Sequence, residues 1–470
     1  MPLELDDIQG IVLHGYGALD NAAFLLLRID DVGATRRWLT RLPLRDSTGT
    51  PAVTDTCTNI AFTPSGLLKL GLPDEQFAML AGEFREGMSG SRHRRRILGD
   101  HGTSCPSAWR WDAGKVDVLL MLYARDATEV AELESSHRLP EAGVHTVGRL
   151  DSLTLPGRKE HFGFRDGISQ PAVAGYDDGA PGNTVAAGEF LLGYPNAYGQ
   201  YTDRPVVDPT ADPHDLLPLA ADQPGRRDLG KNGSYLVFRQ LRQDVAGFWN
   251  SVSERSGDVL GTERVAACVG LAAKMVGRWP SGAPLVKTPT ADNPALADDN
   301  DFMYFRSGDG AGFNCPIGAH LRRSNPRDAL DPSPGSDRSI DVGKRHRIIR
   351  RGRAYGPPLS PTLDPADMIG VPDDGVDRGL HFICFNTQIG RQFEFIQHTW
   401  ANSTKFDGGY AEDDPITGAR GNGVPGGTFT VQREPVRRRV TGLPRFVHTV
   451  GGGYFFMPGI RCLRYLAAQP

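Results

Sequence analysis

The sequence predicts an α+β fold in which antiparallel sheet is covered by helices. Two observations predict it. Strand-like apolar runs give way again and again to amphipathic runs of helical period, and those apolar runs are short enough to be buried strands. In order, Ala22 to Ile29 reads as a strand and Ala34 to Leu42 as an amphipathic helix. Thr58 to Phe62 is a second strand. Thr63 can cap a helix beginning at Pro64, where the missing proline N–H costs nothing. Val116 to Tyr123 is a third strand, with a helix near Ala127 to Glu134. Further on, Tyr235 to Arg239 reads as a strand, Asp244 to Val252 as a helix and Phe382 to Phe385 as a strand. Ile389, Phe393, Ile396 and Trp400 fall at helical spacing and predict a helix with one buried face. Long Pro/Gly/Asp-rich loops are expected from Asp203 to Arg227, Thr288 to Asn300 and Asp328 to Lys344. The domain boundary is placed near residue 155, which gives domains 1–155 and 156–470.

The bulk numbers narrow the function classes. The chain has 470 residues, 39% hydrophobic and 23% charged, which is ordinary for a globular protein. A net charge of −4 gives nucleic acid no electrostatic handle. The run Arg92–His93–Arg94–Arg95–Arg96 reads as a solvated face. No apolar stretch approaches the ~18 residues that span a bilayer. The acidic opening lacks a basic-then-apolar leader, so a cytoplasmic location is expected. Six cysteines without CxxC or paired spacing argue against a zinc ribbon or a disulfide framework. HExxH, GxSxG and Walker A patterns are missing, and no GxGxxG follows a strand.

Three blocks carry chemistry. In Cys315–Pro316–Ile317–Gly318–Ala319–His320–Leu321–Arg322–Arg323, small residues precede a histidine, so a flat macrocycle can approach the backbone. His320 then reads as an iron ligand, with the following arginines placed to meet carboxylates of the same group. In His161–Phe162–Gly163–Phe164–Arg165–Asp166–Gly167–Ile168–Ser169–Gln170–Pro171, Asp166 is either a turn-capping residue or a carboxylate that moves a proton on peroxide. In His346–Arg347–Ile348–Ile349–Arg350–Arg351–Gly352, Arg350 is a fixed positive charge for the leaving oxygen, and Arg351 is its neighbouring alternative. His320 also needs an acceptor for its other ring nitrogen. Glu394 is the candidate, the alternative being a helix-surface glutamate. Leu380 and Phe382 point to one face of a strand and form either a dry wall beside the site or plain core. Trp400 or a surface tyrosine is a candidate electron relay.

Together these blocks resemble the dye-decolorizing (DyP-type) peroxidases, most closely their longer, advanced bacterial forms. The resemblance runs nearly the full length, from Asp7–Ile8–Gln9–Gly10–Ile11 to Gly453–Tyr454–Phe455–Phe456–Met457–Pro458. It implies two ferredoxin-like α+β domains in a dimeric α+β barrel-like arrangement, with haem b in the C-terminal one. It implies His320 as axial ligand, Asp166 as distal acid–base residue and Arg350 as distal arginine. It also implies that Gly167, Ile168 and Ser169 line the haem, with Asn325, Pro326 and Arg327 near it. The expected activity is reduction of hydrogen peroxide with oxidation of dyes, phenolics or similar donors. A haem carrier, sensor or iron-release protein with the same pocket is the alternative. No nucleic acid or membrane partner is expected, and a homo-oligomer is compatible with the sequence.

Overall fold

The computed structural model describes residues 2–257, 261–420 and 426–469. Strand β1 is Asn21–Ile29, β2 Cys57–Phe62, β3 Val118–Ala124 and β4 Val144–Leu153. The second half of the chain adds β5 Ser234–Gln243, β6 Arg353–Tyr355, β7 Gly379–Asn386 and β8 Val447–Met457. Their hydrogen bonds run in the order β5–β7–β6–β4–β1–β3–β2–β8 within a ten-stranded sheet, and β8 pairs again with β5. The order therefore returns on itself and the sheet closes into a barrel, which leaves no long edge exposed. Each half contributes one antiparallel sheet. The two are stitched by isolated pairings, Ala354 with Leu153 and Phe456 with Phe62. This is the helix-covered antiparallel α+β architecture that the sequence predicts.

Period-two alternation decides what each face does. Phe24 and Leu26 of β1, Met121 and Tyr123 of β3, Leu236 and Phe238 of β5, Ile383 and Phe385 of β7, and Phe455 and Met457 of β8 share one inner core. Phe24 sits at its centre, edge-on to Tyr123, Phe238 and His381. The alternate residues, Leu25, Leu27, Leu120, Val237 and Phe456 among them, face outward beneath the helices. The helix Ile460–Ala467 packs there against the helix Val32–Leu39, so a late element covers an early one. A third core lies outside the β5–β8 face. Phe162, Phe164, Phe248, Trp249 and Cys268 join it with the helices Val245–Arg255 and Gly261–Val276.

Several elements follow their local signals. Thr63 accepts from the Gly66 N–H at 3.1 Å and Pro64 opens the helix. Asp244 caps the Val245–Arg255 helix through the Gly247 N–H at 2.8 Å. Asp117, inside the apolar run, stands just before β3. It accepts from Ile29 N (2.9 Å), Ser65 Oγ (2.7 Å) and Lys69 Nζ (2.6 Å), and that is how a carboxylate is accommodated beside a buried strand. Other elements differ. The segment at Ile389–Trp400 is helical, but it winds wider than an α-helix, as π-helical turns at Gly390–Glu394 and Ile396–Ala401. The expected loop at Asp328–Lys344 contains a helix, Asp337–Lys344, whose Asp/Ser-rich sequence masks it. β4 escapes sequence reading because its outward positions are exposed and polar, which leaves few apolar residues to alternate. Among the described residues, no helix is long and apolar enough to cross a membrane.

The barrel core makes a direct prediction. Phe24 is fully buried among rings, so Phe24→Ala leaves a cavity that the closed sheet cannot collapse to fill. The expected loss is about 3–5 kcal/mol, read as a lowered urea midpoint with unchanged slope.

Candidate active site

The loop that carries Asp166 is wound around a carboxylate. Glu160 accepts from the N–H groups of Phe162 (2.9 Å) and Phe164 (3.0 Å), and from Gln243 Nε2 on β5 (2.7 Å). Lys159 bridges to Arg165, and the Asp166 N–H donates to the Arg158 carbonyl at 3.0 Å. Gly163 turns the loop at φ +91°. A Cβ there would meet the Leu363 carbonyl oxygen and the Met368 side chain, so only glycine fits. Burial pushes the Glu160 carboxyl up to about 7.

Arg350 comes from the short strand Ile349–Arg350, which pairs with Phe385 and Cys384 of β7. Gln170 fastens this strand to the Asp166 loop. Its amide oxygen accepts from the Arg350 N–H, and its amide nitrogen donates to the Arg350 carbonyl, each at 3.1 Å. The two blocks thus meet, and Arg350 Nη1 donates to Asp166 Oδ1 at 2.8 Å. The Gly167 N–H donates to the same oxygen at 2.6 Å. Burial alone would raise the Asp166 carboxyl. The charge and hydrogen bond of Arg350, helped by Gly167, outweigh it and hold the group below the usual carboxylate range.

His320 opens the short helix His320–Ser324. Its Nδ1 donates to Asp414 Oδ2 at 2.8 Å, while Asp414 Oδ1 accepts from the N–H groups of Ile416 and Thr417, each at 2.9 Å. Asp414 is wholly buried. Burial disfavours the imidazolium, but the Asp414 carboxylate outweighs this and raises the His320 pKa. Nε2 makes no hydrogen bond to any described residue.

His320, Asp166 and Arg350 all open onto one cavity of about 290 Å³. Their accessible surface faces this cavity: the side chain of His320 is 35% accessible, although it sits inside the fold. The C-terminal sheet forms one wall through Leu241, Leu380, Phe382, Val447 and Thr449, on the face opposite the barrel core. Arg278, Arg347, Arg239 and Arg445 also line it. Arg347 is buried, and its only side-chain hydrogen bond to a described residue is to the Asn183 amide oxygen, at 3.1 Å. Burial, Arg327 and Arg350 together push its pKa down to about 9. Arg239 Nη1, Arg278 Nε, Arg445 Nε and Asn325 Nδ2 have no partner among the described residues.

Most residues singled out in the sequence therefore come together, and some do not. Ile168, Ser169, Asn325, Leu380 and Phe382 line the cavity with the three central residues. Gly167 does not; it serves Asp166 through its N–H. Pro326 and Arg327 are also absent from the lining. Arg327 turns away to the carbonyls of Asn300 and Phe302, with its guanidinium 3.8 Å over the Phe302 ring. Arg322 and Arg323 are consumed by backbone carbonyls, among them Gly310 and Trp400. Arg351 reaches the carbonyls of Ile11, Val12 and Leu13, away from Asp166. Trp400 is buried against Phe395 and His346. Glu394 is the clearest correction. It pairs with Arg94 and accepts from Tyr454 at 2.6 Å, so its buried carboxylate is taken up by that cation and phenol and not by His320. The same pairing buries Arg94, taken in the sequence for part of a solvated face. Asp414 holds the place assigned to Glu394. Its only sequence signal is an aspartate before a proline, with N–H groups two and three residues on to fix the carboxylate.

The chain is 32% identical to a dye-decolorizing peroxidase of Mycena epipterygia over 99% of this chain and 87% of that protein. The chain belongs to the dye-decolorizing peroxidase family. It is an enzyme of the peroxidase class. It is also 30% identical to the multifunctional dye peroxidase DyP2 of Amycolatopsis, over 77% of this chain and 74% of that one. The crystal structure of the Auricularia auricula-judae enzyme complexed with imidazole superposes with a TM-score of 0.79 at 28% identity, covering 99% of this chain and 100% of that one. An ancestral D-type dye-decolorizing peroxidase gives 0.78 at 29% identity, with both chains fully covered. No protein-family model matches the chain.

Asp414 is predicted to be a keystone of this region. Asp414→Ala strips the acceptor from His320 Nδ1 and from two backbone N–H groups in a buried setting. We expect a loss of about 3 kcal/mol, seen as a fall in thermal midpoint.

Proposed function

We propose that this peroxidase would hold haem b in the cavity through His320 as iron ligand, and that Asp166 and Arg350 act on hydrogen peroxide there. Electrons are drawn from dyes, phenolics or similar aromatic donors, in keeping with the names of its relatives. The observation that carries the proposal is the constellation itself: an imidazole fixed by a buried carboxylate opens onto the same cavity as an ionised aspartate–arginine pair. We further propose that the chain divides near residue 155, into an N-terminal domain (1–155) and a haem-binding domain (156–470).

The residues present fit such a group. His320 Nε2 is free while Nδ1 is committed to Asp414, which fixes the tautomer and makes the imidazole a stronger donor. Leu380, Phe382, Phe164 and Ile416 give apolar walls for a macrocycle. Buried cations with unpaired nitrogens, Arg278 and Arg239 among them, suit its carboxylates. Bound there, haem iron supplies the redox chemistry for cleaving the peroxide O–O bond.

The chain's own residues then have defined tasks. Asp166, ionised, takes a proton from one oxygen of hydrogen peroxide and returns it to the other, so that the departing oxygen leaves as water. Arg350 keeps Asp166 ionised and in place, and offers a fixed charge to the oxygen on which negative charge builds. Glu160 and Gln170 hold the two blocks so that this geometry exists before peroxide arrives.

The test is an absorption spectrum of haem-loaded protein before and after one equivalent of peroxide. A Soret band that shifts within seconds and returns on addition of a dye is expected. A band indifferent to peroxide overturns the proposal in favour of haem carriage or sensing. Asp166→Asn should slow the reaction with peroxide by about 10²–10⁴-fold, and His320→Ala should abolish the Soret band. The pH dependence has a definite sign. Asp166 works as a base only when ionised, and its carboxyl is held below the ordinary 3.8, so activity falls only as pH drops through that lowered value. In Arg350→Leu the acid limb of kcat/KM should move to higher pH.

A further inference from the structure

Displaced from His320, Glu394 forms a pairing that the proposed reaction does not use. Its Oε1 accepts from the Tyr454 hydroxyl at 2.6 Å, and its Oε2 from Arg94. Tyr454 and Glu394 are 1% and 3% exposed, so bulk water does not compete for this hydrogen bond. Arg94 is itself paired with Glu86 at 2.6 Å. Other buried tyrosines differ. Tyr16 donates to the Asn59 side chain, Tyr194 to that of Asn232 and Tyr465 to that of Gln76. The hydroxyls of Tyr123, Tyr304 and Tyr355 have no partner among the described residues. Among those residues, only Tyr454 has a hydroxyl that donates to a carboxylate.

The same tyrosine is joined to the cavity by packed rings. Phe382 and Phe393 line the cavity. Their ring centroids lie 6.0 Å apart, and Phe393 meets Tyr454 edge-on at 6.4 Å. A phenol that loses an electron becomes a strong acid, so its oxidation is feasible inside a protein only where a base is in place to take the proton. Here the base is at hydrogen-bond distance, and its other oxygen is anchored. The charged groups around the pair are Arg94, Arg239 and Glu83, so the carboxylate is held between opposing fields.

We propose that Tyr454 is a reversible one-electron oxidation site of this enzyme, with Glu394 as its proton acceptor. The proposal rests on the peroxidase reading of the cavity. Peroxide is the oxidant. One electron leaves the Tyr454 ring and cancels one of the two oxidising equivalents that peroxide delivers to the cavity. In the same event the phenolic proton crosses from Tyr454 Oη to Glu394 Oε1, leaving a neutral tyrosyl radical beside a neutral carboxylic acid. When a donor returns one electron, the proton goes back along the same hydrogen bond and both groups regain their starting charge. Arg94 remains paired with Glu86 throughout, so Glu394 is not pulled out of position while it is neutral.

The experiment is rapid-freeze electron paramagnetic resonance of haem-loaded protein mixed with one equivalent of hydrogen peroxide, with the absorption change followed in parallel. A radical signal that narrows when the protein carries ring-deuterated tyrosine is expected in the wild type. Tyr454→Phe keeps the packed ring and should lower that signal at least fivefold. Glu394→Gln keeps the phenol but removes the base, and should slow its appearance at least tenfold. If the deuterium-sensitive signal survives at full size in Tyr454→Phe while absorption still responds to peroxide, the tyrosine proposal falls alone. If wild-type absorption does not respond to peroxide, the reading of the cavity falls and this proposal with it.

Discussion

Among the described residues, the positive charges around the cavity are not all met by carboxylates, and the rest of the site is organised by that constraint. Arg350 has Asp166, but among the described residues Arg347 has only a neutral amide, and Arg278 only carbonyls and neutral side chains. A buried, unpaired guanidinium is costly in a low-dielectric interior. These cations suit the anionic group proposed for the cavity. The one aspartate on the Arg350 side is already spoken for, which leaves it charged and correctly aimed. On the other side, Asp414 puts a second carboxylate against His320 and spends its remaining lone pairs on two backbone N–H groups. Each carboxylate thus has one assigned cation or donor ring, and the surplus positive charge is directed inward.

What makes this affordable is the closed barrel. Ring closure spends the inner face of every long strand on one dry core, so β5, β7 and β8 can devote part of their outer face to a cavity. Strand alternation keeps the two tasks separate: Ile383 and Phe385 belong to the core, while Leu380 and Phe382 belong to the wall. A one-residue slip of β7 would exchange them, so register and function are fixed by the same pattern.

The fold class was legible because the apolar runs have strand length and alternate with capped amphipathic helices, as at Thr63 and Asp244. β4 was not, because its partners, rather than its own apolar content, make it a strand. In the site, Asp166, His320 and Arg350 could be singled out because they sit in compact glycine-marked blocks, and the three open onto one cavity. Arg351 was separable from Arg350 only in three dimensions, since Arg350 ends the strand and meets Asp166 while Arg351, just beyond it, reaches the carbonyls of Ile11, Val12 and Leu13. Residues that serve through distant pairing were beyond reach. Asp414 lies ninety-four positions from His320, and its acidic run resembles any solvated turn. Glu394 sat in a readable helical pattern, but the partners that take its carboxylate, Arg94 and Tyr454, lie 300 and 60 positions away.

The order of the strands along the chain has a consequence for biosynthesis. β8 supplies Val447 and Thr449 to the cavity wall and closes the ring against β5, yet it is among the last strands to leave the ribosome. The Asp166 loop, the His320 helix and the Arg350 strand are all made earlier and must wait for it. Asp7, far earlier in the sequence, accepts from the Arg461 N–H at 2.6 Å just beyond β8, so an early segment is fastened by a late one. Capture of the proposed cofactor should therefore follow the synthesis of β8, because the cavity wall is incomplete before it.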